Sequence, residues 1–220
     1  MSKLSCVAVT LLALVTFPVI GCGNGQDRSA ATARTSALVA VDVTAVKRNL
    51  DQVVAGLKEV RDASDSADIK QLFSKLQKPA GQLRESLAAV RASSERAIVA
   101  GTAQKDEWRK QADAFSDADL RNASSTRQND LRGAVDALAV SSTTLKSNGD
   151  SYVAQLDQLL AALDLDLSQQ GLHAVKPSVT RLIGDEANLR DSLNNVAIKS
   201  NAVNGVLTGP NYRNESGKGQ

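Results

Sequence analysis

Residues 37–63 read ALVAVDVTAVKRNLDQVVAGLKEVRDA. Their apolar side chains fall at Val39, Val43, Val46, Leu50, Val53, Leu57 and Val60, in alternating steps of four and three. That spacing belongs to a coiled-coil seam, one stripe of a helix turned toward partner helices. A strand would need alternation at every second residue, which the segment does not keep. Valine is a mediocre helix former in isolation, so packing of the stripe must hold this helix. The segment therefore predicts an all-α chain whose helices bury their seams against one another.

The rest of the central chain repeats the pattern. After Ser64-Asp65-Ser66, where Asp65 with Asp68 predicts an N-terminal cap, a second seam runs from Ile69 through Leu72, Leu76, Ala80, Leu83, Leu87 and Val90 to Gly101. Pro79 lies inside it, without an N–H and crowding the preceding turn. The expectation is a short helix to about Gln77, a break, and a long helix from Pro79 to about Ala114. Phe115-Ser116-Asp117-Ala118-Asp119-Leu120 predicts the next start: Ser116 caps, Asp119 answers it, and Phe115 staples onto Leu120. The third seam runs from Leu120 through Arg127, Leu131, Leu138, Gly149 and Tyr152 to Leu163, with one stutter in its register. The fourth runs from near Ser168 to Leu207, with Pro177 bending or separating its first turns. Flexing is expected near Gly101, Gly133, Gly149 and Gly184. Short connections make neighbouring helices antiparallel. The expected architecture is an elongated antiparallel helical bundle over residues 37–207, its longest helix roughly 75 Å.

The flanks set the compartment. Lys3 precedes an apolar run from Cys6 to Ile20, too short for a stable membrane span and containing Pro18. The run closes on Val19-Ile20-Gly21-Cys22, which resembles the bacterial lipobox: a branched apolar residue, a tolerant position, a small residue and the cysteine. Residues 1–21 are expected to be a lipoprotein signal peptide, cut between Gly21 and Cys22, with Cys22 lipidated. Cys6 would leave with the signal, so no cysteine remains for a disulfide or a thiolate metal site. Residues 22–36, rich in Gly, Ser, Ala and Thr, read as a flexible tether. Residues 208–220 read as a disordered tail. Gly23 stands where an Asp retains lipoproteins at the inner membrane, so the expected place is the periplasmic face of the outer membrane.

Composition excludes several partners. The chain has 26 Lys and Arg against 24 Asp and Glu, with the signs interspersed, so no basic footprint for nucleic acid exists. Aromatic residues make up 3% of the chain, too few for base-stacking platforms.

Candidate chemistry is sparse. His173 is the single histidine and the only methionine is Met1, so neither a histidine zinc site nor an axially ligated haem can be assembled. The Glu-x-x-His pairs of a di-iron bundle are missing. Asp164, Asp166 and Ser168 imitate the start of a calcium loop, but Gln169 and Val175 occupy the positions that need Gly and Glu. Asp117 and Asp119 are explained by capping. No serine lies in a nucleophile elbow. Gly23-Asn24-Gly25 is not placed between a strand and a helix, as a phosphate loop would be. Trp108 reads as a buried residue near a helix end. Catalytic, cofactor-binding and metal-binding residues are all expected to be absent.

Glu107-Trp108-Arg109, Phe115 to Arg121, Ser125-Thr126-Arg127 and Asp166 to Leu172 occur in an order that resembles domain of unknown function 2959, a family of bacterial envelope proteins. The similarity spans about Ala37 to Leu207. It implies a helical, often lipid-anchored protein with no assigned activity, and no catalytic residue to carry over. The expected function is non-enzymatic: structure or interaction at the cell envelope, with membrane contact through the lipid. Helices of unequal length should leave seam surface open for a helical partner or a second copy. The alternative is a bundle that binds a lipid or other apolar ligand between loosely packed helices.

Overall fold

The computed structural model describes residues 25–209, with side chains from residue 27 onward. The expected signal peptide, Cys22 and most of the expected tail lie outside the described residues. Four helices fill the described chain: α1 (Gly25–Asp62), α2 (Ile69–Asp113), α3 (Ala118–Leu165) and α4 (Gln169–Thr208). They run up, down, up and down. Each helix packs on two neighbours in a closed square, α1 on α2 and α4, and α3 on α2 and α4. No strand occurs among the described residues.

The four-and-three seams form the core. Val39, Val46, Leu50, Val53, Leu57 and Val60 of α1 are fully shielded from solvent, as are Leu76, Leu83 and Val90 of α2. Leu131, Leu138, Leu145, Leu156 and Leu163 of α3, and Leu189, Leu193, Val196 and Val203 of α4, join the same cluster. Polar pairs along the edges fix the register. Lys47 donates to Asn194 Oδ1 at 2.6 Å and Arg190 to Asp51 at 2.7 Å, joining α1 to α4. Asn49 bridges to the Gln82 carbonyl and Ser86 of α2. Arg84 and Arg91 of α2 pair with Asp157 and Asp150 of α3.

Several boundaries differ from expectation. Helix α1 begins at Gly25, so residues 25–36 belong to the bundle and are not a tether. Ser29, Thr32, Ala33 and Ser36 extend the α1 seam in threes and fours and are buried. The hydroxyls of Thr32 and Ser36 turn back onto their own helix: Thr32 donates to the Arg28 carbonyl at 3.1 Å and Ser36 to the Thr32 carbonyl at 3.3 Å. Satisfied this way, small polar residues tolerate a seam position. The expected tail begins later than residue 208, because Thr208 closes α4.

Pro79 does not break α2, which is continuous through it. The carbonyl that a proline at 79 leaves without its helical donor belongs to Lys75, an exposed residue that water can reach. Leu76, Ala80 and Leu83 around the proline are fully buried, and that packing offsets an interior-proline cost of about 3 kcal/mol. Pro177 is likewise inside a continuous α4, with His173 exposed four residues before it.

Caps shift by a residue or so. Asp68 alone caps α2, accepting from Gln71 N at 3.1 Å. Asp117, not Ser116, caps α3, accepting from Asp119 N at 2.8 Å and Leu120 N at 3.2 Å. A carboxylate at this position satisfies two orphan donors and meets the helix dipole with a full charge. Phe115 and Leu120 both stay exposed, so the expected staple shelters neither. Ser168 caps α4 as read, accepting from Gly171 N at 3.2 Å.

Candidate functional site

The end of the bundle that carries the start of α1 has the most distinctive chemistry. All four helices meet there. Arg28 in the second turn of α1 pairs with Glu107 of α2 at 3.2 Å. At the next residue of α2, the buried Trp108 lies under the guanidinium of Arg127, 4.4 Å from the ring centroid. Arg127 also donates to the carbonyl of Leu207 at 3.2 Å, in the last turn of α4. A cation on the final carbonyls of α4 suits the negative end of its dipole. Arg127 is a seam position of α3, and its charge is tolerated because it lies at the height where α4 ends. These contacts close the end of the core.

Among the described residues, the α2–α3 hairpin projects alone beyond that closure. Every residue from 113 to 123 is exposed. The last residues of α2 and the first turns of α3 have neither α1 nor α4 beside them. Phe115 is 40% exposed and Leu120 is 54% exposed. Asp113, Asp117 and Asp119 stand with Lys110 and Arg121 around them, so the tip carries both signs.

The residues weighed for chemistry are dispersed. His173 Nε2 lies 3.0 Å from Asp65 Oδ1, both exposed, which ties α4 to the α1–α2 turn at the opposite end of the bundle. Asp166 Oδ1 accepts from Ser168 N at 3.1 Å and so shapes the α3–α4 turn. Asp117 is occupied as a cap. Gly25 opens α1, while Gly23 and Asn24 fall outside the described residues. Among the described residues no group of three or more His, Cys, Asp or Glu is gathered closely enough to hold a metal. No described helix is long and apolar enough to cross a membrane.

Two features escaped the sequence reading. A groove of about 230 Å³ lies between α3 and α4, lined by Leu159, Val175 and Leu182 with Gln155, Gln158 and Arg181 at its mouth. Tyr152 is buried with no partner on its hydroxyl among the described residues, and burial, aided by Glu186 and Asp185, pushes its pKa up. Neither had a sequence signal, because each depends on which neighbours the square packing supplies. No protein-family model, curated protein or solved structure matches the chain.

Proposed function

We propose that this chain is a lipid-anchored helical rod of the bacterial cell envelope, acting by structure or interaction and not by catalysis. The observation that carries the reading is Val19-Ile20-Gly21-Cys22 at the close of a short apolar run, directly before a helical bundle. Acylation of Cys22 would supply several chains, and more than one is what stable anchoring requires. Gly23 after the cysteine favours the outer membrane. The resemblance to domain of unknown function 2959 agrees with this reading and rests on the quoted segments alone.

The dispersal of polar groups supports a non-enzymatic role. A general base needs its proton donor or acceptor within hydrogen-bond reach, and the hydrogen-bond partner of His173 among the described residues is Asp65, on an exposed edge. Partner binding through open seams receives less support than the heptads alone gave it. The seams are buried within the square, and only the Leu120 end of the α3 seam stays open. The interaction reading therefore rests on the sides and the ends of the rod.

Mass spectrometry of the protein taken from membranes tests the anchor. The expected result is a mature N-terminus at Cys22 carrying diacylglyceryl and acyl groups, and no fatty-acid incorporation in Cys22→Ser. An unmodified Cys22 in the exported protein would sink the reading. In-cell crosslinking then identifies what the rod touches. A second reading, an apolar-ligand bundle, draws on the α3–α4 groove. Native mass spectrometry of detergent-free protein distinguishes it, since a clean apo spectrum removes it.

A further inference from the structure

We propose that the α2–α3 tip, through Phe115 and Leu120, is a second contact with the lipid surface and stands the rod upright on the membrane. The proposal rests on the acylation of Cys22 and adds an orientation to it.

Heights along the bundle carry the inference. The Arg28–Glu107 pair sets α1 level with α2 at that point. From Glu107 the helix α2 continues to Asp113, about 9 Å further at 1.5 Å per residue. From Arg28, α1 continues back to Gly25, about 5 Å in the same direction. The α2–α3 turn therefore lies about 4 Å beyond the start of α1. Only Gly23 and Asn24 separate Gly25 from Cys22, and that link reaches at most about 10 Å when fully extended. A lipidated Cys22 thus has no long tether. With the rod end-on, the tip then lies within roughly the thickness of a headgroup layer, about 5–8 Å per leaflet, of the surface that holds the acyl chains.

What the tip presents there fits that surface. Other exposed large apolar residues, such as Val41, Val99, Val140 and Ile198, lie within the lengths of the helices. Among the described residues, Phe115 and Leu120 instead share a segment that protrudes past the closed core. The tip's mixed charges do not call for anionic lipid, so the contact is apolar and expected on zwitterionic membranes. The α1–α2 and α3–α4 turns, with Asp65, His173 and the 89%-exposed Leu165, then face away from the membrane.

The test uses the full acylated protein in phosphatidylcholine vesicles. Apart from Cys22 the mature chain has no cysteine, so Ser116→Cys and Ser66→Cys each accept one fluorophore, at the tip and at the far end. The expected result is that position 116 is shielded from an aqueous quencher by roughly tenfold relative to position 66, a ratio that partial burial of one Phe and one Leu supports. Adding Phe115→Ser and Leu120→Ser should abolish the shielding while the protein still floats with the vesicles. Floating protein with equal quenching at both positions overturns the contact and leaves the anchor standing. Shielding unchanged by the serine pair overturns the role of Phe115 and Leu120. A Cys22 found unacylated removes the anchor, and the contact falls with it.

Discussion

A Cβ built on Gly171 would sit 2.2 Å from the Asp166 carbonyl oxygen, and backbone cannot move aside as a side-chain end does. Gly171→Ala must therefore shift the α3–α4 turn, and overpacking of this kind costs about 1–3 kcal/mol. At Gly133 and Gly184 the added methyl meets nothing within 4 Å. Alanine there should raise stability by up to about 1 kcal/mol through helix propensity alone. Thermal unfolding of the three variants should give Tm shifts of opposite sign, and a shift in one common direction would contradict the packing at Gly171. The sequence reading treated Gly101, Gly133, Gly149 and Gly184 alike, since spacing does not reveal what stands opposite a glycine. A Cβ on Gly101 would meet Val135 Cγ2 at 2.6 Å, which marks close helix approach and not a point of flexing.

Asp150 gives a residue-scale prediction in pH. It lies between Lys146 of its own helix and Arg91 of α2. The hydrogen bond from Lys146, opposed by slight burial and joined by that from Arg91, holds its pKa below the usual carboxylate range. A depressed folded pKa contributes stability above the unfolded value of about 3.9, and that contribution fades as pH falls through the folded value. The side chain is about half exposed, so solvent screening keeps the contribution to at most about 1 kcal/mol. Urea titrations should show Asp150→Asn less stable than wild type at neutral pH, with the two converging as the pH falls below the folded value. An Asn variant that stays equally destabilised in acid would show that charge is not the cause.

At the scale of elements, seams were legible and ends were not. Every α1 seam residue from Val39 to Val60 is buried, because apolar spacing directly encodes the face that packs. The reading stopped α1 short at residue 37, since Ser29, Thr32 and Ser36 have the composition of a linker. Thr32 and Ser36 fit the seam through bonds to their own helix carbonyls, and composition does not record those bonds. Pro79 was read as a break because proline's local cost is visible in sequence and the compensating burial of Leu76, Ala80 and Leu83 is not. The proposed tip contact was invisible for the same reason: Phe115 and Leu120 looked like a staple until their neighbours ended below them. This division predicts uneven stability. The first turns of α1 bury small and polar side chains, whereas residues 39–60 bury Val and Leu, each worth about 1.5–3 kcal/mol on full burial. Backbone amides of residues 27–36 should exchange with deuterium well before those of residues 43–57 under native conditions. Uniform protection along α1 would show that the two stretches open as one unit.

The whole molecule is a closed square of long helices, and closure has consequences for size and association. Each seam is used twice, once toward each neighbour, so the stripes that suggested a waiting partner are already satisfied inside the chain. Helix α3 alone runs from Ala118 to Leu165, which at 1.5 Å per residue is about 70 Å. A compact domain of this chain length has a radius of gyration of about 16 Å. A rod about 70 Å long and two helices wide has one of about 22 Å. A chain begun at Gly23, and so free of lipid, should scatter X-rays with the larger value and sediment as a monomer. A radius near the compact value would mean that the helices fold back on themselves. A doubled mass would mean that two rods pair along their sides or ends, since the full burial of Leu50, Leu83, Leu138 and Leu193 argues against opening of the seams. Association that appeared only in the acylated protein would instead place the contact at the end that carries the start of α1, where the core is closed by Trp108 and Arg127 and, among the described residues, the α2–α3 tip remains to be covered.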